Sequence, residues 1–242
     1  MRHKIFLAGA TGAVGRLLVP MLVEKGHSVW GTTRSASKAV DLEAAGARAV
    51  VVDVFDAEAL AAAMIEARPE IVIHQLTDLP KDLDPTWMGE AVGRNARIRD
   101  EGTRNLVEAA KRAGAKRLIA QSIAWAYAPG PLPYGEHDPL DTGAAEPRSI
   151  SVNGVIALER QVVGAPMEAV ILRYGQFYGP GTGFGAPKPG ASVHVEAAAY
   201  AALLAVERGG GTYNIAEPNG QVSIEKAIEE LGWDADFRRT IA

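Results

Sequence analysis

The chain has no cysteine among its 242 residues, which excludes disulfides, thiolate nucleophiles and cysteine-held metals. It has no surplus of positive charge either. Lys and Arg number 25 against 29 for Asp and Glu, a net charge of -4, which leaves no basic footprint for nucleic acid. No apolar run reaches membrane-spanning length, and the first residues read straight into a strand without a signal peptide. The expectation is a cytoplasmic protein with neither nucleic acid nor membrane as a partner. Internal repeats and low-complexity tracts are missing. So are His-x-x-x-His, His-x-x-Glu-His and Gly-x-Ser-x-Gly, so neither a metal site nor a serine-hydrolase elbow is expected.

What is present describes an ordinary globule, 48% hydrophobic and 22% charged, long enough for one α/β domain over residues 1–242. Strand-like and helix-like runs alternate, which predicts an α/β, Rossmann-type, doubly wound and mainly parallel sheet. Strands are expected at Lys4–Ala8, Ser28–Thr33, Arg48–Val52, Glu70–Gln75, Arg117–Gln121, Ala169–Arg173 and Gly211–Ala216. The first helix follows Gly15, and others are expected at Ser37–Ala45, Ala57–Ala67, Gly89–Ala113, about Ser149–Val163 and His194–Glu207. Ser223 is a candidate cap for a last one. Proline-rich and glycine-rich segments, about 128–148 and 176–194, interrupt the rhythm, and with 216–242 they are expected to form a reduced substrate lobe.

The first strand runs into Gly9-Ala10-Thr11-Gly12-Ala13-Val14-Gly15 and then into an amphipathic helix. That order makes a phosphate cradle, with the helix N-terminus facing the anion. Gly9 permits the turn, Gly12 admits a pyrophosphate and Gly15 lets the helix approach the strand. At the end of the second strand an acidic residue would grip the 2′-hydroxyl of NAD, whereas an arginine accommodates the 2′-phosphate of NADP. Here the residues are Thr33 and Arg34, which favours NADP, with NAD the alternative; Arg34 also reads as one more surface charge. Asp53 can accept from an adenine amino group while Val54 packs on the ring, and Asp53 reads equally as a turn aspartate.

The glycine stretch resembles the opening of the extended short-chain dehydrogenases, the NAD-dependent epimerase/dehydratase group. Further resemblances follow in order: Val72-Ile73-His74, Gly102 to Ala110, Gln121 to Tyr127, Leu172 to Gly181, Val193 to Glu196 and Tyr213-Asn214-Ile215. The resemblance implies hydride transfer to or from nicotinamide, on a small carbonyl, alcohol or sugar-type substrate. It also implies an acid/base tyrosine four residues before a lysine, because a free phenol is too weak an acid to act near neutrality. Gln75, Leu76 and Thr77, after the fourth strand, and Tyr174 complete the candidate cofactor set.

The Y-x-x-x-K pair occurs nowhere in the chain. Aligned on Ala157-Leu158-Glu159, the tyrosine position holds Ser151 and the lysine position Val155, which reads as part of an apolar stripe. The expected serine or threonine position falls on Ile123, one residue after Ser122. Ser122 and Tyr127 are the candidate catalytic residues, and His137, Tyr134, Tyr174 and Gln176 are weaker ones. A cofactor-binding sensor without catalysis is the alternative. Arg94, Arg97, Arg99 and Arg104 beside Asp100 and Glu101 read as a solvated mixed-sign face. In the resembling family the fourth and fifth helices commonly pair in a dimer, so a homodimer is expected there.

Overall fold

The computed structural model describes residues 1–80 and 83–239; the last three residues of the expected 216–242 segment lie outside them. Seven strands form one parallel sheet, β1 (Lys4–Ala8), β2 (Ser28–Thr33), β3 (Arg48–Val51), β4 (Ile71–His74), β5 (Arg117–Ile123), β6 (Glu168–Tyr174) and β9 (Gly211–Ile215). Their order is β3-β2-β1-β4-β5-β6-β9. The chain therefore reverses direction across the sheet between β1 and β4, where such sheets open a crevice at their carboxyl ends. A small second pair, β7 (Gln176–Tyr178) and β8 (Ser192–His194), is also parallel.

Helices α1 (Gly15–Glu24) and α7 (Val195–Leu204) cover one face, and α2 (Ala36–Ala44) packs by the β2–β3 edge. Helices α3 (Ala57–Ala67), α4 (Pro85–Arg97), α5 (Thr103–Ala113) and α6 (Arg148–Val163) cover the other. Two apolar cores result, one on each face. Leu7, Leu18, Leu172 and Tyr213 belong to the first, and Phe6, Met64, Leu106 and Leu118 to the second. The central strands are apolar on both faces, as a doubly covered parallel sheet requires.

The expected long fourth helix is not one helix. It starts earlier, at Pro85, because Asp84 accepts from Thr86 N–H at 2.9 Å and proline suits the first helical turn. It then passes through a π-helical turn at Ile98–Gly102 before α5. A second π-helical turn, Ala227–Leu231, stands where the last helix was expected. The apolar stripe of α6 is spent inside the chain, with Val152, Val155, Leu158 and Val162 all buried.

The proline-rich segment is pinned to the C-terminal end of the sheet. Tyr134 N–H donates to Gln221, Ser223 N–H to Tyr134, and Asn214 N–H to Glu136. The glycine-rich segment is tied to α1, where Arg16 donates to the carbonyl of Pro180. No described helix is long and apolar enough to cross a membrane.

Candidate functional site

A cleft of about 890 Å³ lies along the carboxyl ends of the strands, at the β1–β4 reversal. The turn after β1 forms its floor. Gly9 has φ +86°, and a Cβ there would stand 2.5 Å from the Gln75 carbonyl oxygen. A Cβ on Gly15 would stand 2.2 Å from the Gly9 carbonyl oxygen. Only glycine fits either place. Thr32 ties β2 to the turn by accepting from Gly9 N–H at 3.2 Å. No side chain caps α1; Arg16, Leu17 and Leu18 N–H donate to the Gly12 and Val14 carbonyls, and the N–H groups of Ala13, Val14 and Gly15 just before them are the ones left for a ligand in the cleft.

Thr11, Gly12, Ala13 and Val14 line the cleft, and Gly15 supports it from behind. Thr33 and Arg34 line one end together with Lys38. Arg34 is 54% exposed and reaches Asp78 at 3.3 Å. Val54 is buried on the same wall, whereas the Asp53 side chain accepts from Phe55 N–H at 3.0 Å and lies outside the lining. Gln75, Leu76, Thr77 and Tyr174 continue the wall. Gln75 Nε2 faces the Tyr174 hydroxyl at 3.4 Å, while Gln75 Oε1 is buried without a partner. Burial pushes the Tyr174 phenol far up.

The candidate catalytic residues are engaged with protein. Ser122 lines the cleft, but its hydroxyl donates to Glu159 Oε1 at 2.6 Å. Tyr127 does not line it. Its hydroxyl donates to Asn214 at 2.7 Å and accepts from Arg173 at 2.8 Å, and its ring stacks on Tyr134. Burial raises its pKa, outweighing the opposing pull of Arg173. Arg173 and Glu159 form a buried ion pair at 2.7 Å; burial opposes the Arg173 charge, and Glu159 holds it firmly ionised. Ser151 and Ile123 line the cleft, and Val155 is buried in a small cluster with Ala126 and Val152. His137 is exposed, and His194 caps α7 by accepting from Glu196 N–H at 3.3 Å.

A sequence family described as NAD(P)H-binding matches residues 9–151. The chain belongs to it. A Streptomyces protein named 3-diazoavenalumate denitrifying reductase is 43% identical over 227 residues, covering 84% of this chain and 72% of that protein. The fold is shared with UDP-glucose 4-epimerase of Thermotoga maritima in complex with UDP-glucose, at TM-score 0.77 and 20% identity, over 97% of this chain and 94% of the other. The UDP-glucose 4-epimerase of Thermus thermophilus in complex with NAD gives 0.69 and 22%, over 97% and 84%. This is an NAD(P)H-binding chain with the fold of the UDP-glucose 4-epimerases, and it holds no Y-x-x-x-K pair.

The residues present fit NAD(P)H. The glycine turn and uncapped α1 offer N–H donors to a pyrophosphate, and the orphaned Gln75 Oε1 offers an acceptor for a hydroxyl or amide of the cofactor. The sequence reading missed Arg99. Unlike Arg94, Arg97 and Arg104, which make surface ion pairs, Arg99 is 7% exposed and lines the cleft. A signal was available: Arg99 stands four residues after Asn95 and four before Thr103, both buried, so it lies on the inner stripe. Arg16, Lys38, Trp125 and Phe184 are further lining residues that the motifs did not single out.

Proposed function

We propose that this protein is an NADPH-dependent reductase that delivers hydride to a small electrophilic substrate without drawing a proton from its own side chains. The observation that carries this reading is the pair Ser151 and Val155 at the tyrosine and lysine positions, Val155 being fully buried in apolar packing. The hydroxyls of Ser122 and Tyr127 are already bonded within the protein, which supports the same reading. The name of the Streptomyces relative points to a diazo substrate. Bound NADPH supplies a hydride, so an arenediazonium and NADPH give the arene, dinitrogen and NADP+. No proton enters that balance, and a Tyr–Lys pair has no task in it.

The chain's own work is then to bind, orient and exclude water. In this proposal Gly9, Thr11, Gly12, Ala13, Val14 and Gly15 hold the pyrophosphate. Val54 packs on the adenine with Asp53 at its edge, and Gln75, Leu76, Thr77 and Tyr174 run along the nicotinamide half. Trp125, Phe177 and Phe184 wall the substrate end. NADP is favoured over NAD because β2 ends in Thr33 and Arg34, with Lys38 on the same wall and no carboxylate on that strand. A homodimer through α4 and α6 belongs to the proposal too; exposed Trp87 and Val163 on those helices support it, and light scattering tests it.

The test adds a carboxybenzenediazonium salt to the NADPH-loaded protein and follows NADPH loss and dinitrogen release. Equimolar consumption and release, faster than in protein-free buffer, is expected. Tight NADPH binding with no consumption above that background would overturn the reductase reading in favour of a cofactor-binding sensor.

A further inference from the structure

Among the described residues, the charged lining of the cleft is unbalanced. Arg16, Arg34, Lys38 and Arg99 stand against Asp78, which is already shared between Arg34 and Arg94. Arg34 and Lys38 sit at the adenine end, and Arg16 follows the glycine turn, so the phosphates of a dinucleotide account for these cations. Arg99 is elsewhere. It sits in the π-helical turn after α4, and its Nη1 donates to the Ser151 carbonyl at 3.4 Å. No carboxylate pairs with it among the described residues.

A buried guanidinium without a counter-ion is costly, and a ligand anion that arrives dry beside it recovers much of that cost. Burial alone draws the Arg99 pKa down to about 10, which still leaves it charged at neutral pH. Its stem is held by close packing of the two helices. A Cβ on Gly154 would stand 3.0 Å from Ala96 Cα and 3.5 Å from Arg99 Cδ. The π-helical turn belongs to a class of local distortion often found at functional sites. Apolar side chains share the approach to the cation with Asn95. Met88, Val92 and Arg99 recur at helical spacing on the cleft side, with Ile123 and Trp125 also on the cleft wall.

We propose that Arg99 is the substrate's anion site and takes the carboxylate of an apolar, extended substrate whose skeleton lies along Met88 and Val92. The inference rests on the reading that the cleft holds NADP and a substrate together. It gives α4 a specificity role, and it places a cation beside Ser151, the position on α6 where the family's tyrosine is absent. A planar guanidinium reads a carboxylate through two parallel hydrogen bonds, a geometry that an ammonium does not reproduce.

The experiment is calorimetric and needs no turnover. NADP+ is titrated first, and then cinnamate or cinnamamide is titrated into the NADP+-saturated protein. Wild type is expected to bind cinnamate at least about tenfold more tightly than cinnamamide. Arg99→Gln should erase that preference with the NADP+ Kd changed less than about twofold, and Arg99→Lys should keep part of it. The proposal is overturned by no measurable cinnamate binding, by no preference in wild type, or by a preference that survives in Arg99→Gln. It is also overturned if Arg99→Gln weakens NADP+ as much as cinnamate, which would make Arg99 a cofactor ligand. Should Arg99→Gln fail to fold, the wild-type comparison and Arg99→Lys decide. Failure of NADP+ to bind at all would instead remove the reductase reading, so the two failures are separate results.

Discussion

Ser122 Oγ and Arg173 Nε converge on one oxygen, Glu159 Oε1, at 2.6 and 2.9 Å. The hydroxyl on the cleft wall is thus turned away from a ligand and toward a buried ion pair that joins α6 to β6. Removing Glu159 leaves the Arg173 charge buried and unpaired. Glu159→Leu is therefore expected to lower stability by about 3–5 kcal/mol, measured by urea unfolding. Ser122→Ala removes one charge-assisted hydrogen bond, about 1.5–3 kcal/mol, and should leave the hydride-transfer rate within about threefold. A loss of about a hundredfold or more is what a general acid would show, and it would restore Ser122 to that role.

The proposed preference for NADPH over NADH rests on Arg34. Arg34→Ala should weaken NADPH about tenfold and NADH less than twofold, since only the former carries the 2′-phosphate. Fluorescence titration of both cofactors gives the ratio. Equal effects on the two would sink the NADPH assignment.

His74 makes the fold sensitive to acid. Its Nδ1 accepts from Leu76 N–H at 3.2 Å, so Nε2 carries the proton and donates to Thr103 at 3.0 Å. Burial first, and the Arg99 charge second, lower its pKa from 6.5 to about 4. The unfolded chain takes up the proton first, so this contribution is complete above about pH 6.5, shrinks as the pH falls toward 4 and is gone below. The total is about 3 kcal/mol. Urea melts of wild type and His74→Asn at about pH 7.5, 5.5 and 4 should converge as the pH falls. Parallel curves would contradict the assignment.

Gly15 is required by a backbone contact. An added Cβ would stand 2.2 Å from the Gly9 oxygen and 2.7 Å from Ala10 Cα, so Gly15→Ala must push α1 off the turn. Thermal melts should show a large loss of stability, and NADPH binding should fail even where the variant folds. Wild-type affinity in Gly15→Ala would show that the turn does not set the cofactor site.

The glycine turn and the strands were readable because each is a local pattern. A strand, a turn and a helix succeed one another within twenty-odd residues, and Gly26 and Gly114, both at positive φ, end α1 and α5. What was not readable depends on contacts far apart in sequence. Tyr127 looked free to act because its partners, Arg173 and Asn214, lie 46 and 87 residues away. Arg99 looked solvated because charge is the louder signal, and the burial of Asn95 and Thr103 beside it in the helix is quieter. The helix begins at Pro85, ahead of the expected Gly89, because Asp84 and Pro85 together make a helix start.

The most direct test of the central claim follows the hydride itself. NADPH deuterated at C4 on the transferred face is supplied in ordinary water with a carboxybenzenediazonium, and the arene formed is analysed by mass spectrometry and NMR. Direct hydride transfer requires one deuterium on the carbon that lost dinitrogen, one NADP+ per arene, and no dependence of the chemical step on a protein acid between about pH 6 and 8. Hydrogen drawn from solvent at that carbon, or NADPH left unconsumed while the diazonium decays no faster than without protein, would contradict it.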